Sequence, residues 1–244
     1  GMPANGGGLA DAESATALDE ASLGHPARAI GNATREVLRM CESIDLMLDR
    51  VLPMFRAETV GDLAALAALD DKVDSRHSAI KLYLARTTAG DVTESQALRC
   101  QELADACVKI EQVGDIIVRN MIVHIQKMRS RGIAFTPEGW DELTVLHAAV
   151  LANARLTFNV IVSRDEETAR QIVEEKDRMR EREKQASLRH FERLRAGDPR
   201  SVESSSIHLD TIRDLKEINS LLASLAYPVL EEAGLLSFSR LKKD

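Results

Sequence analysis

Four carboxylates in this chain have the types and spacing to do chemistry: Asp70 with Asp74, and Glu111 with Asp115. Each pair is spaced i,i+4, which stacks two like charges on one helical face at a cost of roughly 0.2–0.5 kcal/mol. Gly114 lies between the second pair, in a helix interior where Gly costs about 1 kcal/mol against Ala. Several local choices against a stable helix ask for a compensating reason. One reason is a solvated acidic edge, with a small residue where a neighbouring helix passes close. The other is a set of carboxylates that holds a cation. Carboxylates brought together repel and raise one another's pKa. A hard or borderline cation (Mg²⁺, Ca²⁺, Mn²⁺ or iron) relieves that through oxygen ligation. Asp71 and His77 are weaker candidates beside the first pair, and His77 adds a nitrogen donor.

The elements that must position these acids are helices. Leu103, Ala106, Cys107, Ile110, Ile117, Met121 and Ile125 recur at spacings of three and four, which puts them on one helical face. They belong to a long helix from about Glu94 to Arg131, opened by the capping-box pair Thr93 and Gln96 and closed by Gly132. Asn32 to Phe55 is the first helical pattern, which Pro53 ends or kinks. The second runs from Val60 to Arg86 with Leu66, Leu69, Val73, Ile80 and Leu84 as its stripe. Thr136-Pro137 starts a fourth helix as N-cap and N1, reaching about Val162. Ser163 with Glu166 reads as another capping box, opening a fifth helix that runs to Arg195. A sixth runs from about Val202 past Ile212, Leu215, Ile218 and Leu222 to near Gly234. No period-2 strand pattern survives.

Composition agrees. Of 244 residues, 44% are hydrophobic and only 3% aromatic, which suits a helical bundle and not a β-sandwich. The net charge of −7 gives no overall attraction to nucleic acid, so none is expected as a partner. The charged run from Glu174 to Lys184 interleaves both signs and reads as a solvated face, not an RNA-binding patch. Three cysteines without CxxC spacing argue against a disulfide framework and fit a reducing cytosol. Leu143 to Val162 is the most apolar stretch, but His147, Asn153, Arg155 and Asn159 interrupt it, so it reads as a buried bundle helix. Residues 2 to 26 and 237 to 244 read as tails, and Gly1 is set aside as an addition ahead of Met2.

The six helices fall into two sets of three, residues 27–132 and 133–236, and the sets echo each other. Leu69-Asp70-Asp71-Lys72 is matched by Val173-Glu174-Glu175-Lys176, and Lys109 to Asp115 by Asp214 to Ser220. An all-α, duplicated three-helix bundle is the economical reading. The second copy departs where chemistry is concerned. Arg178, Lys216 and Ser220 replace Asp74, Glu111 and Asp115. That half can neutralise Glu174 and Glu175 by ion pairing, so at most one metal site is expected, in the first half.

Other chemistries lack their residues. A di-iron bundle enzyme needs two Glu-x-x-His motifs, and the chain has only Asp74-x-x-His77. There is no phosphate-binding glycine loop, GxSxG or HExxH. His124, His147, His190 and His208 read as packed or surface residues, and nothing in the sequence activates Cys107. No catalytic activity is expected.

The two acid-bearing repeats resemble the PhoU family of phosphate-response regulators. The resemblance lies in Ile110-Glu111-Gln112-Val113-Gly114-Asp115, its second copy Leu215-Lys216-Glu217-Ile218-Asn219-Ser220, which lacks both acids of the motif, and Asp71-Lys72-Val73-Asp74. Leu18 to Met40, Val108 to Asn120 and Ser205 to Ser220 are similar to the cytosolic PhoU-like domains of bacterial sodium/phosphate cotransporters. The resemblance implies a pair of three-helix bundles that regulates or couples phosphate uptake. It also implies a transmembrane transporter domain as partner, in cis or in trans, and a place at the cytosolic face of the inner membrane. A free-standing regulator acting on a separate transporter or kinase is the alternative, and a homodimer stays open. The family's acidic motifs hold metal, and that role carries over to Asp70, Asp74, Glu111 and Asp115, with Asp71 and His77 behind them.

Overall fold

Thr93 and Gln96 open the longest helix by exchanging hydrogen bonds, Thr93 N to Gln96 Oε1 at 3.0 Å and Gln96 N to Thr93 Oγ1 at 3.1 Å. This reciprocal cap satisfies two donors that a helix start otherwise leaves orphaned. The other helix ends follow similar local chemistry. Pro26 and Pro137 occupy first-turn positions. Gly132 ends its helix in the left-handed region at φ 63°.

The computed structural model describes residues 16–56, 62–197 and 199–235, apart from the side chains of residues 200, 201 and 203. Among these residues there are six long helices and no strand. They are α1 (Pro26–Val51), α2 (Leu63–Thr88), α3 (Glu94–Asp115, continued through Ile116–Met121 and Ile122–Arg131), α4 (Pro137–Ser163), α5 (Glu166–Arg195) and α6 (Pro199–Ala223, continued by short turns to Glu232). Cross-helix bonds give the order within the first set. Asn32 on α1 meets Tyr83 on α2, and Glu36 meets Arg76, so these two helices are antiparallel. His77 on α2 meets Glu111 on α3, while Asp70 meets Gly114, which makes α2 and α3 antiparallel as well.

The stripe on α3 read from the sequence is buried, from Leu103 at 1% exposure to Ile125 at 0%. The two sets of helices do not keep separate cores. One cluster runs through Ile44, Ile110 and Ile117 of the first and Leu143, Leu215 and Ile218 of the second. A small satellite around Val160, Ile172 and Leu230 seals the far end. The boundary at residue 132 is a turn in the chain and not a division of the interior.

Three expectations need correcting. First, α1 begins at Pro26, not Asn32, because Ala29 and Ala33 already face the core. The stretch from Thr16, read as tail, is laced onto the bundle: Tyr83 Oη donates to Asp19 O at 2.7 Å and Ala17 N to Glu36 Oε1 at 2.8 Å. Residues 1–15 and 236–244 lie outside the described residues. Second, α5 is capped by Asp165, which accepts from Thr168 N, and Ser163 is the last residue of α4. Arg164 between them takes φ 51°, a left-handed turn that ends one helix before the next starts. Third, α3 is not uniform: Ile116–Met121 is a π-helical segment that begins directly after Asp115. Such segments are rare and tend to mark functional places in helices.

Candidate metal centre

The close passage of α2 over Gly114 builds the site. A Cβ on Gly114 would stand 2.4 Å from Asp70 Oδ1 and 3.3 Å from Ile44 Cδ1. The small residue lets Asp70 sit flat on α3, and Asp70 is buried at 7% exposure. One turn along α2, Asp74 reaches the same place. From α3, Asp115 completes the group. Ligand oxygens of Asp70, Asp74 and Asp115 all lie within 4.8 Å of one another. Two oxygens on one cation can be no more than two bond lengths apart, about 4–5 Å for metals of this class.

The electrostatics are those of an uncompensated cluster. Burial first, then the charges of Asp74 and Asp115, push the Asp70 carboxyl up to about 7 from its ordinary 3.8. Asp74 is raised for the same reasons, burial ahead of its neighbours Glu111 and Asp115. Asp70 Oδ1 and Asp74 Oδ1 are buried without a hydrogen-bond partner. Buried carboxylate oxygens without partners are costly, and a cation would satisfy them. The residues present therefore fit an oxygen-ligated divalent or iron-type ion.

Not every candidate joins them. Glu111 turns to His77 and accepts from its Nδ1. A neutral ring donating from Nδ1 keeps a lone pair on Nε2, and that Nε2 is also buried and unpartnered. Glu111 and His77 therefore form a neighbouring pair at the rim, not part of the three-carboxylate group. Asp71 is exposed on the outer side of α2 and does not join the group. Arg119, 3.9 Å from Asp115 and itself exposed, is too loosely held to neutralise it.

The second half contrasts at matching positions. Glu174 is exposed, Glu175 pairs with Arg178, and Lys216 Nζ lies 3.1 Å from Glu183 Oε2. Asn219, at the place of Gly114, accepts from Asn153 Nδ2 at 3.1 Å. Among the described residues, the first half alone holds a group of three potential metal ligands.

The sequence reading passed over other polar clusters. Asp214, 2% exposed, accepts from Asn120 Nδ2 at 3.0 Å and lies 3.5 Å from His124 Nε2. Glu142 on α4 gathers Arg189 and Arg193 from α5, beside His208 of α6. His190 and His208 stack at 4.5 Å between ring centroids. In sequence these residues share no motif, and each cluster is completed only by a residue from another helix. The three cysteines are buried and free, and burial pushes the Cys107 thiol up to about 12, so none is a reactive thiolate.

Residues 143–229 match the family model of the PhoU domain. The matched stretch lies in the second set of helices, whereas the acidic group lies in the first. PhoU from Pseudomonas aeruginosa superimposes with a TM-score of 0.76 at 15% identity, covering 84% of this chain and 97% of that one. The phosphate transport system regulatory protein PhoU from Streptococcus pneumoniae gives 0.66 at 15%, covering 89% and 98%. The six-helix whole therefore has the PhoU fold. YjbB of Salmonella typhimurium, whose name assigns it provisionally to inorganic phosphate export, is 35% identical over 88% of this chain. YjbB of Escherichia coli K12 is 33% identical over the same share. The chain spans 39% of the length of these relatives.

Proposed function

We propose that this chain is the PhoU-like regulatory or coupling domain of a phosphate-moving membrane protein, not a catalyst. The observation that supports this most is the 35% identity to a relative named for phosphate export that runs well beyond the matched region. In this reading the partner is a transmembrane transporter domain in the same polypeptide, sodium-coupled as the resemblance implies, and the domain works at the cytosolic face of the membrane. Asp70, Asp74 and Asp115 hold one divalent or iron-type cation, with Glu111 and His77 at its rim. The cation supplies charge neutralisation, and the carboxylates use it to clamp α2 against α3.

A free-standing regulator acting on a separate transporter or kinase is the second reading. It is favoured by solved PhoU chains of which this chain covers 97% and 98%. An antibody to the domain separates the two. Source cells are lysed, membrane and cytosol fractions parted, and each blotted. A membrane-bound band far larger than 26.9 kDa supports the cis reading, whereas a cytosolic band near that mass supports the free regulator. Radiolabelled phosphate flux in cells carrying or lacking the gene then gives the direction of transport. Uptake is expected from the cotransporter resemblance and export from the relatives' names.

A further inference from the structure

A second feature, away from the acidic group, points to a protein partner. Between Leu143 and Ser163, α4 carries one charged side chain, Arg155. By length and composition the helix is apolar enough to cross a membrane, yet only half of that stretch is buried inside the bundle. Its outward side presents Val145, Ala148, Ala152, Asn159 and Val162 to solvent. Beside it, α1 and α4 enclose an open groove of about 740 Å³. Leu38, Cys41 and Phe158 floor the groove, and Leu46 and Val162 stand at its rim at 40% and 53% exposure.

The groove is lined by two acids of α1, Glu42 and Asp45, and by one base of α4, Arg155. Glu42, Asp45 and Asp49 follow one another along α1 at spacings of three and four, so they share a face. Arg155 is taken by Asp45 through two hydrogen bonds, at 2.9 and 3.2 Å. Glu42 and Asp49 have no ion pair among the described residues. An apolar floor with an unneutralised acidic edge matches the way grooves take amphipathic helices. We propose that the α1–α4 groove docks a basic amphipathic helix of a partner protein, with apolar residues against Leu46, Phe158 and Val162 and Lys or Arg along Glu42 and Asp49. A second copy of the chain would bring another acidic α1 edge, not a basic one.

The probe is a fluorescein-labelled Leu/Lys amphipathic helix of about 18 residues, five turns long, with a Leu/Glu helix of the same pattern as its counterpart. The full chain should bind the Leu/Lys helix saturably, one to one, with a Kd on the order of micromolar. Leu46→Ser with Val162→Ser should weaken binding by about tenfold without changing charge. Glu42→Lys with Asp49→Lys should weaken it and flatten its salt dependence. Leu82→Ser, a control at an exposed leucine on α2, should change nothing. The proposal fails if the Leu/Glu helix binds equally well, if Leu82→Ser weakens binding as much as the groove variants, or if there is no saturation by about 100 µM. It also fails if sedimentation shows a dimer that the groove serines dissociate, since a second copy then covers the face.

Discussion

Asp70 concentrates the physics of the acidic group. It is buried, one of its oxygens is unpartnered, and two other carboxylates face it. Its carboxyl titrates near 7 in the folded chain against 3.8 ordinarily. Between about pH 4 and pH 7 the folded form therefore holds a proton that the unfolded chain has released, and stability of the cation-free protein falls as pH rises through that window. Chemical denaturation across the window should show this decline in the wild type relative to Asp70→Asn, in which the opposing contribution of His208 is unchanged, and a saturating divalent cation should reverse it. Asp70→Asn should stabilise the cation-free protein by on the order of 1–3 kcal/mol, because a buried charge without partners is removed. That corresponds to about 2–4 °C of melting temperature per kcal/mol for a chain of this size, and the same variant should no longer respond to cation. The residues of the acidic group were legible because like charges at i,i+4 beside a mid-helix glycine conflict with helix stability unless something repays them. The diversion of Glu111 to His77 was not legible. Spacing places a side chain on a face, whereas the choice between two neighbours on that face depends on the packing of α2 against α3.

Among the elements, α3 is the one most shaped by the acidic group. Gly114→Ala tests two opposing effects. Alanine should stabilise an isolated helix by about 1 kcal/mol, but its Cβ would stand 2.4 Å from Asp70 Oδ1. The carboxylate tip can swing away, so overall stability should change by no more than about 1 kcal/mol while the cation response is lost. Thermal melts with and without Mn²⁺ separate the two. In the second set of helices, His208 is held down to about 4 by burial first and by the neighbouring His190 next. An unfolded histidine titrates near 6.5, so the unfolded chain gains protons first and stability drops as pH falls from about 6.5 through 4. His208→Asn should flatten that acid limb in urea melts at pH 4 to 7. Helix identity and order were readable from the apolar period and caps, but the π-helical segment was not. Ile116 to Met121 continue the same apolar pattern, and the extra residue in that turn leaves no mark in composition. The start of α1 was missed because Ala29 and Ala33 carry too little hydrophobic signal to stand out from the small residues before them.

At the scale of the molecule, the two repeats share one core but divide the chemistry. The first half keeps three carboxylates together. The second keeps an acid, Glu174, at the place of Asp70, has Arg178 and Ser220 at the places of Asp74 and Asp115, and neutralises other acids through pairs such as Lys216 with Glu183. Arg164 ties the halves together, reaching Glu102 on α3 at 2.9 Å and also Glu232. The duplication was legible from the paired Asp-Asp-Lys and Glu-Glu-Lys segments. The shared core was not, because a boundary drawn at Gly132 says nothing about which faces meet across it. One such contact, His147 Nε2 to Leu48 O at 2.6 Å, joins helices from opposite halves.

The most direct measurement is a titration of the metal-stripped protein with Mn²⁺, Fe²⁺, Ca²⁺ and Mg²⁺, read by calorimetry and by thermal shift. The account predicts a single ion per chain for at least one of these cations. It also predicts stabilisation of about 2.7 kcal/mol at a hundredfold excess over Kd, lost in Asp70→Asn and in Asp115→Asn and kept when Glu175 is replaced by Gln. An absence of heat and of thermal shift at millimolar concentrations of all four would contradict it, and the three carboxylates would then be a strained acidic edge without a ligand.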